Sequence, residues 1–289
     1  MALSKLSGDE QGIILGQLRN ALEPRLVMYF SSANKELRAL LPPAAQQQLR
    51  ADYEEATALC LKMGMRDCKE LREATKVECP DKGLSAADLA TLATLGSVLP
   101  ALERLCLTDF SGTTGLDGVQ RLAEGLVAGS LPSVDYFDIY DMHVGDAGAS
   151  AIAAALDRGA LPRLKQIYLY GAAIGDAGLV ALAPALRRRP ALEGLDLAGN
   201  PFGDEGLAAL VAPPPPAGAP PPTTGGLTKL KVLNLDYTKI TDAGCATLAA
   251  ALDSGALPAL ERLFLNGIPA SAAAKAAVYA ARANLWGAC

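Results

Sequence analysis

The side chains that most often perform catalysis or bind metals are few in this sequence and far apart. His143 is the single histidine, so neither a catalytic triad with a histidine base nor a metal site with several histidine ligands can be assembled. The six cysteines are scattered and include no CxxC pair, and the phosphate-binding patterns GxxxxGKS and GxxxxGKT do not occur. We therefore predict no enzymatic activity, no metal site and no cofactor.

A short motif built on Asp-x-Gly recurs at residues 145–148, 175–178, 203–206 and 241–244. The repeated carboxylate could suggest metal ligands. Each copy, however, stands where a helix is predicted to begin, and a carboxylate there can accept a backbone N–H that has no partner within the helix. We expect each acid to be the N-cap of its own helix.

Three consecutive arginines at residues 187–189 could form a site for an anion. They end a predicted helix, where the helix dipole favours positive charge without any ligand. We therefore predict a structural role for them at that helix end.

These residues are carried by a unit that repeats along most of the chain. In residues 164–190, LKQIYLYGAAIGDAGLVALAPALRRRP, a strand of the form LxxLxL is followed by a loop, a helix and a closing proline. The first apolar position of each strand recurs at Ala74, Leu102, Val134, Leu164, Leu192, Leu230 and Leu260. The next two inward positions are Val77 and Cys79, Leu105 and Leu107, Phe137 and Ile139, Ile167 and Leu169, Leu195 and Leu197, Leu233 and Leu235, and Leu263 and Leu265. The pattern predicts seven strands, each with one buried face.

An LxxLxL strand followed by a helix at this spacing resembles the leucine-rich repeats of the ribonuclease-inhibitor-like class. The resemblance covers residues 74–289 and implies an α/β solenoid that is curved, with parallel strands on the concave side and helices on the convex side. The geometry of the elements agrees, since strands stack about 4.8 Å apart whereas helices pack about 8–10 Å apart. Asn200 stands where this family commonly has an asparagine after the strand.

The alternation of side chains along each strand defines a candidate binding surface on the concave side. Outward positions, two, four and six residues after the first apolar position, hold four of the eight tyrosines. Tyrosine simply suits strands, but the inward positions hold none, and tyrosine is favoured at binding hot spots. We predict that a basic segment of a protein partner binds here, because carboxylates surround the tyrosines. The predicted partner-binding residues are Tyr136, Asp138, Tyr140, Tyr168, Tyr170, Asp196, Asp236 and Phe264.

Residues 1–73 precede the repeats and are predicted to form a helical module. Within it, residues 6–41 resemble an F-box-like motif. The resemblance implies that this segment docks on the adaptor subunit of a cullin-type ubiquitin ligase while the solenoid selects the target. The alternative is a structural cap that seals the first repeat. The possible docking residues are Leu6, Ile13, Ile14, Leu18 and Leu26.

Two repeats depart from the template. The loop at residues 108–118 is about two residues longer than its counterparts, and a Pro-rich loop at residues 212–226 interrupts the fifth repeat. Because such a run favours polyproline II, it could be a ligand of a proline-binding module, or it could be a tolerated insertion. The last repeat ends in an Ala-rich helix, as expected of a C-terminal cap.

The composition narrows the choice of partners. The chain has 289 residues, is 51% hydrophobic and carries a net charge of −5, which argues against nucleic acid or an anionic membrane as a partner. No run of about 18 apolar residues is present to span a bilayer. The scattered cysteines favour reduced thiols and hence the cytoplasm or the nucleus.

These features predict a non-catalytic protein-interaction module, and in a sharper form a substrate-recognition subunit of a cullin-type ubiquitin ligase. One alternative is a plain scaffold or inhibitor with a structural N-terminal cap. Another is a small-GTPase regulator, because similar repeats occur in GTPase-activating proteins for Ran. Those proteins carry a long acidic tail, whereas this sequence ends in Trp286-Gly287-Ala288-Cys289.

Overall fold

The computed structural model describes residues 42–211, 226–282 and 284–287, together with residues 20, 22–25, 28 and 29. Within these residues, seven parallel strands form one sheet in chain order. They are β1 (Lys76–Pro80), β2 (Arg104–Thr108), β3 (Tyr136–Tyr140), β4 (Gln166–Tyr168), β5 (Gly194–Asp196), β6 (Val232–Asn234) and β7 (Arg262–Phe264). Each predicted repeat contributes one strand, which confirms the predicted arrangement.

The pairing register places equivalent positions of successive repeats side by side. Arg104 pairs with Tyr136, which pairs in turn with Gln166. All the predicted inward strand residues from Val77 to Leu265 are buried. Each strand begins two residues after the predicted first apolar position, because that residue, such as Leu164, lies in the turn before the strand.

The helices lie on the other side of the sheet. They are α1 (Pro43–Lys62), α2 (Cys68–Glu73), α3 (Ala86–Leu95), α4 (Gly118–Gly125), α5 (Gly145–Asp157), α6 (Asp176–Arg187), α7 (Asp204–Val211), α8 (Asp242–Asp253) and α9 (Ala272–Ala280). From α3 to α9 each helix packs against the next. Since packed helices need about twice the spacing of paired strands, the sheet lines the concave side of the solenoid.

The acids of the Asp-x-Gly motif do not cap their own helices, so that prediction was wrong. Asp176 is the first residue of α6, and its Oδ1 accepts the backbone N–H groups of Gly203 and Gly206, in the next repeat, at 2.8 and 2.7 Å. The same link to the following repeat joins Asp146 to Gly175, Asp204 to Thr241 and Asp242 to Ser271. We call Asp146, Asp176, Asp204 and Asp242 the inter-repeat aspartates.

Arginines make the reverse connection at the C-terminal ends of the helices. Arg189, just after α6, donates to the carbonyl oxygens of Leu156 and Ala160 in the preceding repeat. Similar links run from Arg158 to Ala123 and Leu126, and from Arg282 to Ala256 and Leu257. These guanidinium groups therefore add hydrogen bonds to carbonyls at and just after a helix end of the preceding repeat.

The helices before the repeats share their core with the first repeat. Leu71 of α2 and Val77 of β1 belong to one continuous apolar cluster, and Leu22 is buried in the same cluster. Arg72 of α2 also forms an ion pair with Glu23. The ion pair therefore links Glu23 to α2.

Two predicted features lie outside the described residues. One is the set of possible docking residues Leu6, Ile13, Ile14, Leu18 and Leu26, and the other is residues 212–225 of the Pro-rich loop. The division of the chain at residue 73 also stays a prediction.

Candidate functional site

The outward strand positions form what we call the concave face, and the eight predicted partner-binding residues lie on it. None of them is fully buried. The residues on β3 and at β4 stand on neighbouring strands, as expected, because Asp138 pairs with Tyr168, which pairs with Asp196 on β5. Phe264 stands apart on β7, three strands from Tyr168.

Two tyrosines form the centre of the concave face, and we call them the tyrosine pair. The rings of Tyr136 and Tyr168 touch edge to face, with centroids 5.0 Å apart and planes at 80°. Arg104 lies over the Tyr136 ring, 4.0 Å from its centroid. The Tyr168 hydroxyl donates to Gln166 Oε1 at 3.2 Å, and its ring leans towards β5, where a Cβ on Gly194 would lie 3.5 Å from Tyr168 Oη. Burial raises the pKa of both phenols, so both keep their protons near neutral pH.

A second aromatic group lies where β3 and β4 end, and we call it the aromatic shelf. Tyr140 and Tyr170 stack with centroids 4.7 Å apart and planes at 9°. Phe110, in the long loop after β2, meets Tyr140 edge-on at 6.0 Å and is 64% exposed. Sequence reasoning identified this loop by its length but missed Phe110.

A buried carboxylate fixes the loop that carries Phe110. Asp109 Oδ1 accepts the Ser111 hydroxyl at 2.7 Å and the Thr113 N–H at 3.2 Å, and Oδ2 accepts the Thr114 N–H at 2.6 Å. Burial alone would raise the pKa of Asp109, but the hydrogen bonds from these residues hold it well below its usual range. The carboxylate is therefore charged at neutral pH, and the loop presents Phe110 on a fixed backbone.

Two aspartates flank Tyr168 on the adjacent strands. Asp138 Oδ2 accepts one long hydrogen bond, from the Tyr136 hydroxyl at 3.4 Å, and its Oδ1 is buried without a partner among the described residues. Asp196 Oδ1 accepts the Ala198 N–H, and its Oδ2 accepts Asn234 Nδ2, both at 2.9 Å. Burial raises the pKa of both carboxyls, and the charge of Asp196 raises that of Asp138 further.

The other two predicted residues have different surroundings. Asp236 accepts the backbone N–H of Asn266 at 2.5 Å and its Nδ2 at 3.1 Å, so it links two successive turns. Phe264 meets Trp286 edge to face at 5.8 Å. Sequence reasoning missed Trp286 because it lies in the C-terminal segment, whose backbone forms an extra bridge beside Arg262 at the edge of the sheet.

Charge is distributed unevenly along the concave face. The outward positions of β3 to β6 include Asp138, Asp196 and Asp236 and no lysine or arginine. The basic residues stand on the outer strands, at Lys76, Arg104 and Arg262. The centre of the face is therefore aromatic and acidic.

In the part of the chain that the structure describes, no group of three or more histidine, cysteine, aspartate or glutamate residues is placed to hold a metal ion. The helices of that part include none with the length and apolar character needed to cross a membrane.

Comparison with known proteins supports the repeat over part of the chain. A family model described as Leucine Rich repeat matches residues 192–211 and 226–249, which include β5, α7 and β6. No curated protein matches the chain. Among solved structures, internalin C2 from Listeria monocytogenes is similar at 18% sequence identity, over 77% of this chain and 88% of that chain, with a TM-score of 0.39. The ribonuclease-inhibitor-like class stays a prediction. With one strand and one helix in each repeat and all strands parallel in chain order, the fold is a leucine-rich-repeat solenoid.

Proposed function

We propose that this protein is a protein–protein interaction module that binds a segment of its partner on the concave face. The observation that carries the proposal is the contact between aromatic rings at the centre of that face. The tyrosine pair and the aromatic shelf lie on β3, on and just after β4, and in the loop between β2 and β3. Their rings are only partly buried.

Such rings suit a hot spot for a physical reason. A tyrosine has only two side-chain torsions, so a partner that covers it gains contact area at a small cost in entropy. Here the rings already hold each other in place, and such preorganisation lowers the cost of binding further. Where such a residue is a hot spot, its replacement by alanine costs about 2 kcal/mol or more.

The test is affinity capture from the source cell extract with quantitative mass spectrometry. The variant replaces Tyr136, Tyr168 and Tyr170 by alanine. The control is Tyr53→Ala, because Tyr53 lies on α1, away from the sheet, and is 36% exposed.

We expect the wild type and Tyr53→Ala to recover the same partners and the triple variant to lose them while its melting remains cooperative. If the folded triple variant recovers the same partners in the same amounts, the concave face is not the binding surface.

A finer proposal is that the N-terminal module docks on the adaptor subunit of a cullin-type ubiquitin ligase. The residues proposed to contact the adaptor are Leu6, Ile13, Ile14, Leu18 and Leu26. The burial of Leu22 in the apolar cluster that also contains residues of the first repeat favours the alternative, a structural cap, for that part of the module.

Capture with the full chain and with a chain that starts at Ala44 separates the two roles. Ligase subunits recovered only with the full chain support docking. Identical partners without ligase subunits, or loss of cooperative melting on truncation, support the cap.

A further inference from the structure

Three side chains at the centre of the concave face stand side by side in one register: Asp138 on β3, Tyr168 on β4 and Asp196 on β5. We call them the Asp-Tyr-Asp site. Since neighbouring strands are about 4.8 Å apart, the two carboxylates stand on strands about 10 Å apart with one aromatic ring between them. The fold does not require these side chains, because the core of each repeat is formed by the inward strand positions and these three residues occupy outward ones.

Neither of the two carboxylates forms an ion pair among the described residues. The nearest basic side chain on a neighbouring strand, Arg104, is placed over the ring of Tyr136. The charge of Arg104 offsets that of Asp138 only in part, because burial and the charge of Asp196 still leave the pKa of Asp138 raised. Burying carboxylates with incomplete compensation is costly.

Asp138 is the less satisfied of the two. Its Oδ1 is buried and accepts no hydrogen bond within the described chain, and its Oδ2 accepts only the long one from Tyr136. Native proteins leave few buried polar atoms without a partner, and each one calls for an explanation. Asp196, by contrast, is oriented by Ala198 and Asn234.

We propose that the Asp-Tyr-Asp site binds an arginine side chain of the partner, with the guanidinium stacked on Tyr168 and donating to Asp138 and Asp196. This inference rests on the proposed function and names the chemistry that the concave face recognises. A guanidinium fits better than an ammonium because it is planar, stacks on aromatic rings and donates from several positions in one plane.

Asp138 is only partly buried as a residue, and the one hydrogen bond that it accepts, from the Tyr136 hydroxyl, is long at 3.4 Å. A charge-assisted hydrogen bond from a guanidinium is shorter and stronger than a neutral one. A ligand that supplies such a donor therefore gains at Asp138.

The experiment uses the full-length protein and a library of random 12-residue peptides displayed on phage. Clones that bind the wild type but not the variant lacking Tyr136, Tyr168 and Tyr170 are directed to the concave face. Their peptides are synthesised with each arginine as arginine, lysine or citrulline, which is the neutral isostere. Binding is measured against the wild type, Asp138→Asn, Asp196→Asn and the control Asp253→Asn, whose exposed aspartate ends α8.

We expect the face-directed peptides to share one arginine whose change to citrulline weakens binding about tenfold, with lysine between the two. Asp138→Asn and Asp196→Asn should each weaken binding by a similar factor, whereas Asp253→Asn should stay within about twofold. The citrulline series alters only the peptide, so it remains decisive even if an aspartate variant folds poorly.

Two results would overturn the inference in distinguishable ways. If peptides depend on the tyrosines but still bind after the citrulline change and after both aspartate changes, the arginine site is wrong and the proposed function stands. A library without any clone that depends on the tyrosines would count against the concave face as a binding surface, and the arginine site would fail with it.

Discussion

The inter-repeat aspartates should contribute measurably to stability, and Asp176 is the clearest case. Its Oδ1 accepts two backbone N–H groups of the next repeat, from Gly203 and Gly206. Both glycines are buried, so Asp176→Ala leaves two donors without a protein partner. A hydrogen bond to a charged group contributes about 1.5–3 kcal/mol. Because Asp176 itself is half-buried and water can partly replace it, we expect a loss of about 2–4 kcal/mol in the free energy of unfolding.

Asp176→Asn distinguishes the contribution of the hydrogen-bond acceptor from that of the negative charge. The asparagine keeps a side-chain oxygen at the same place and loses only the charge assistance, so we expect a loss of about 1 kcal/mol. The control is Glu205→Gln, since Glu205 is an exposed acid in the first turn of α7. A change there should stay within about 0.5 kcal/mol.

The assay is urea unfolding at equilibrium, followed by circular dichroism, with the dependence on urea compared among the variants. An unchanged slope shows that the whole solenoid still unfolds as one unit, which repeat proteins do not always do. Our reasoning is refuted if Asp176→Ala is as stable as Glu205→Gln, or if Asp176→Asn loses as much as Asp176→Ala.

Three further predictions concern packing, pH and thiol reactivity. In Gly244→Ala, the new methyl group would overlap Asp204 Oδ1, so the loss of stability should be smaller when Asp204→Ala is already present; additive losses in urea unfolding would contradict this. The raised pKa of Asp138 means that its charged form is disfavoured in the folded state, so the wild type loses stability as pH rises through the pKa of the folded protein. Asp138→Asn should then match the wild type at acid pH, below the unfolded pKa, and melt at a higher temperature at neutral pH; a lower melting temperature there would be inconsistent with it. Among the described thiols, half-buried Cys106 should react with Ellman's reagent first, whereas Cys79, whose pKa burial raises to about 11, should react only on unfolding; early labelling of Cys79 by mass spectrometry would exclude this order.

The sequence was sufficient to predict the strands because their signal is local and repeated. Inward positions such as Leu105 and Leu233 are buried as expected, since alternation along a strand determines the face of each side chain. The same rule placed Tyr136 and Tyr168 on neighbouring strands of one face. Their edge-to-face contact followed only from the structure.

The role of the Asp-x-Gly motif could not be predicted because the partner of each acid lies about 30 residues away. A capping rule considers only the helix that an acid begins, whereas Asp176 reaches the start of α7 in the next repeat. The solenoid brings these helix ends together, and the regular recurrence of the motif was the signal that could have indicated it.

The aromatic residues that the sequence pattern did not predict lie outside the regular strands and helices. The path of the loop after β2 depends on the hydrogen bonds of Asp109, and no repeat pattern predicts that it brings Phe110 to Tyr140. Trp286 lies at the edge of the sheet, where its backbone forms a bridge with Arg262 of β7. Both aromatic residues are exposed, so the exposed aromatic surface is wider than the one predicted.

Site-specific photo-crosslinking tests the central claim, that the partner binds on the concave face. Benzoylphenylalanine is placed at Tyr140, on the concave face, or at Val180, on the convex helix α6, in otherwise unchanged protein. The two positions are 39% and 38% exposed, so they differ in location and hardly in accessibility. The account predicts that irradiation in the source cell extract joins a captured partner to the Tyr140 position and not to the Val180 position. Crosslinking of the same partner at Val180 alone would contradict it.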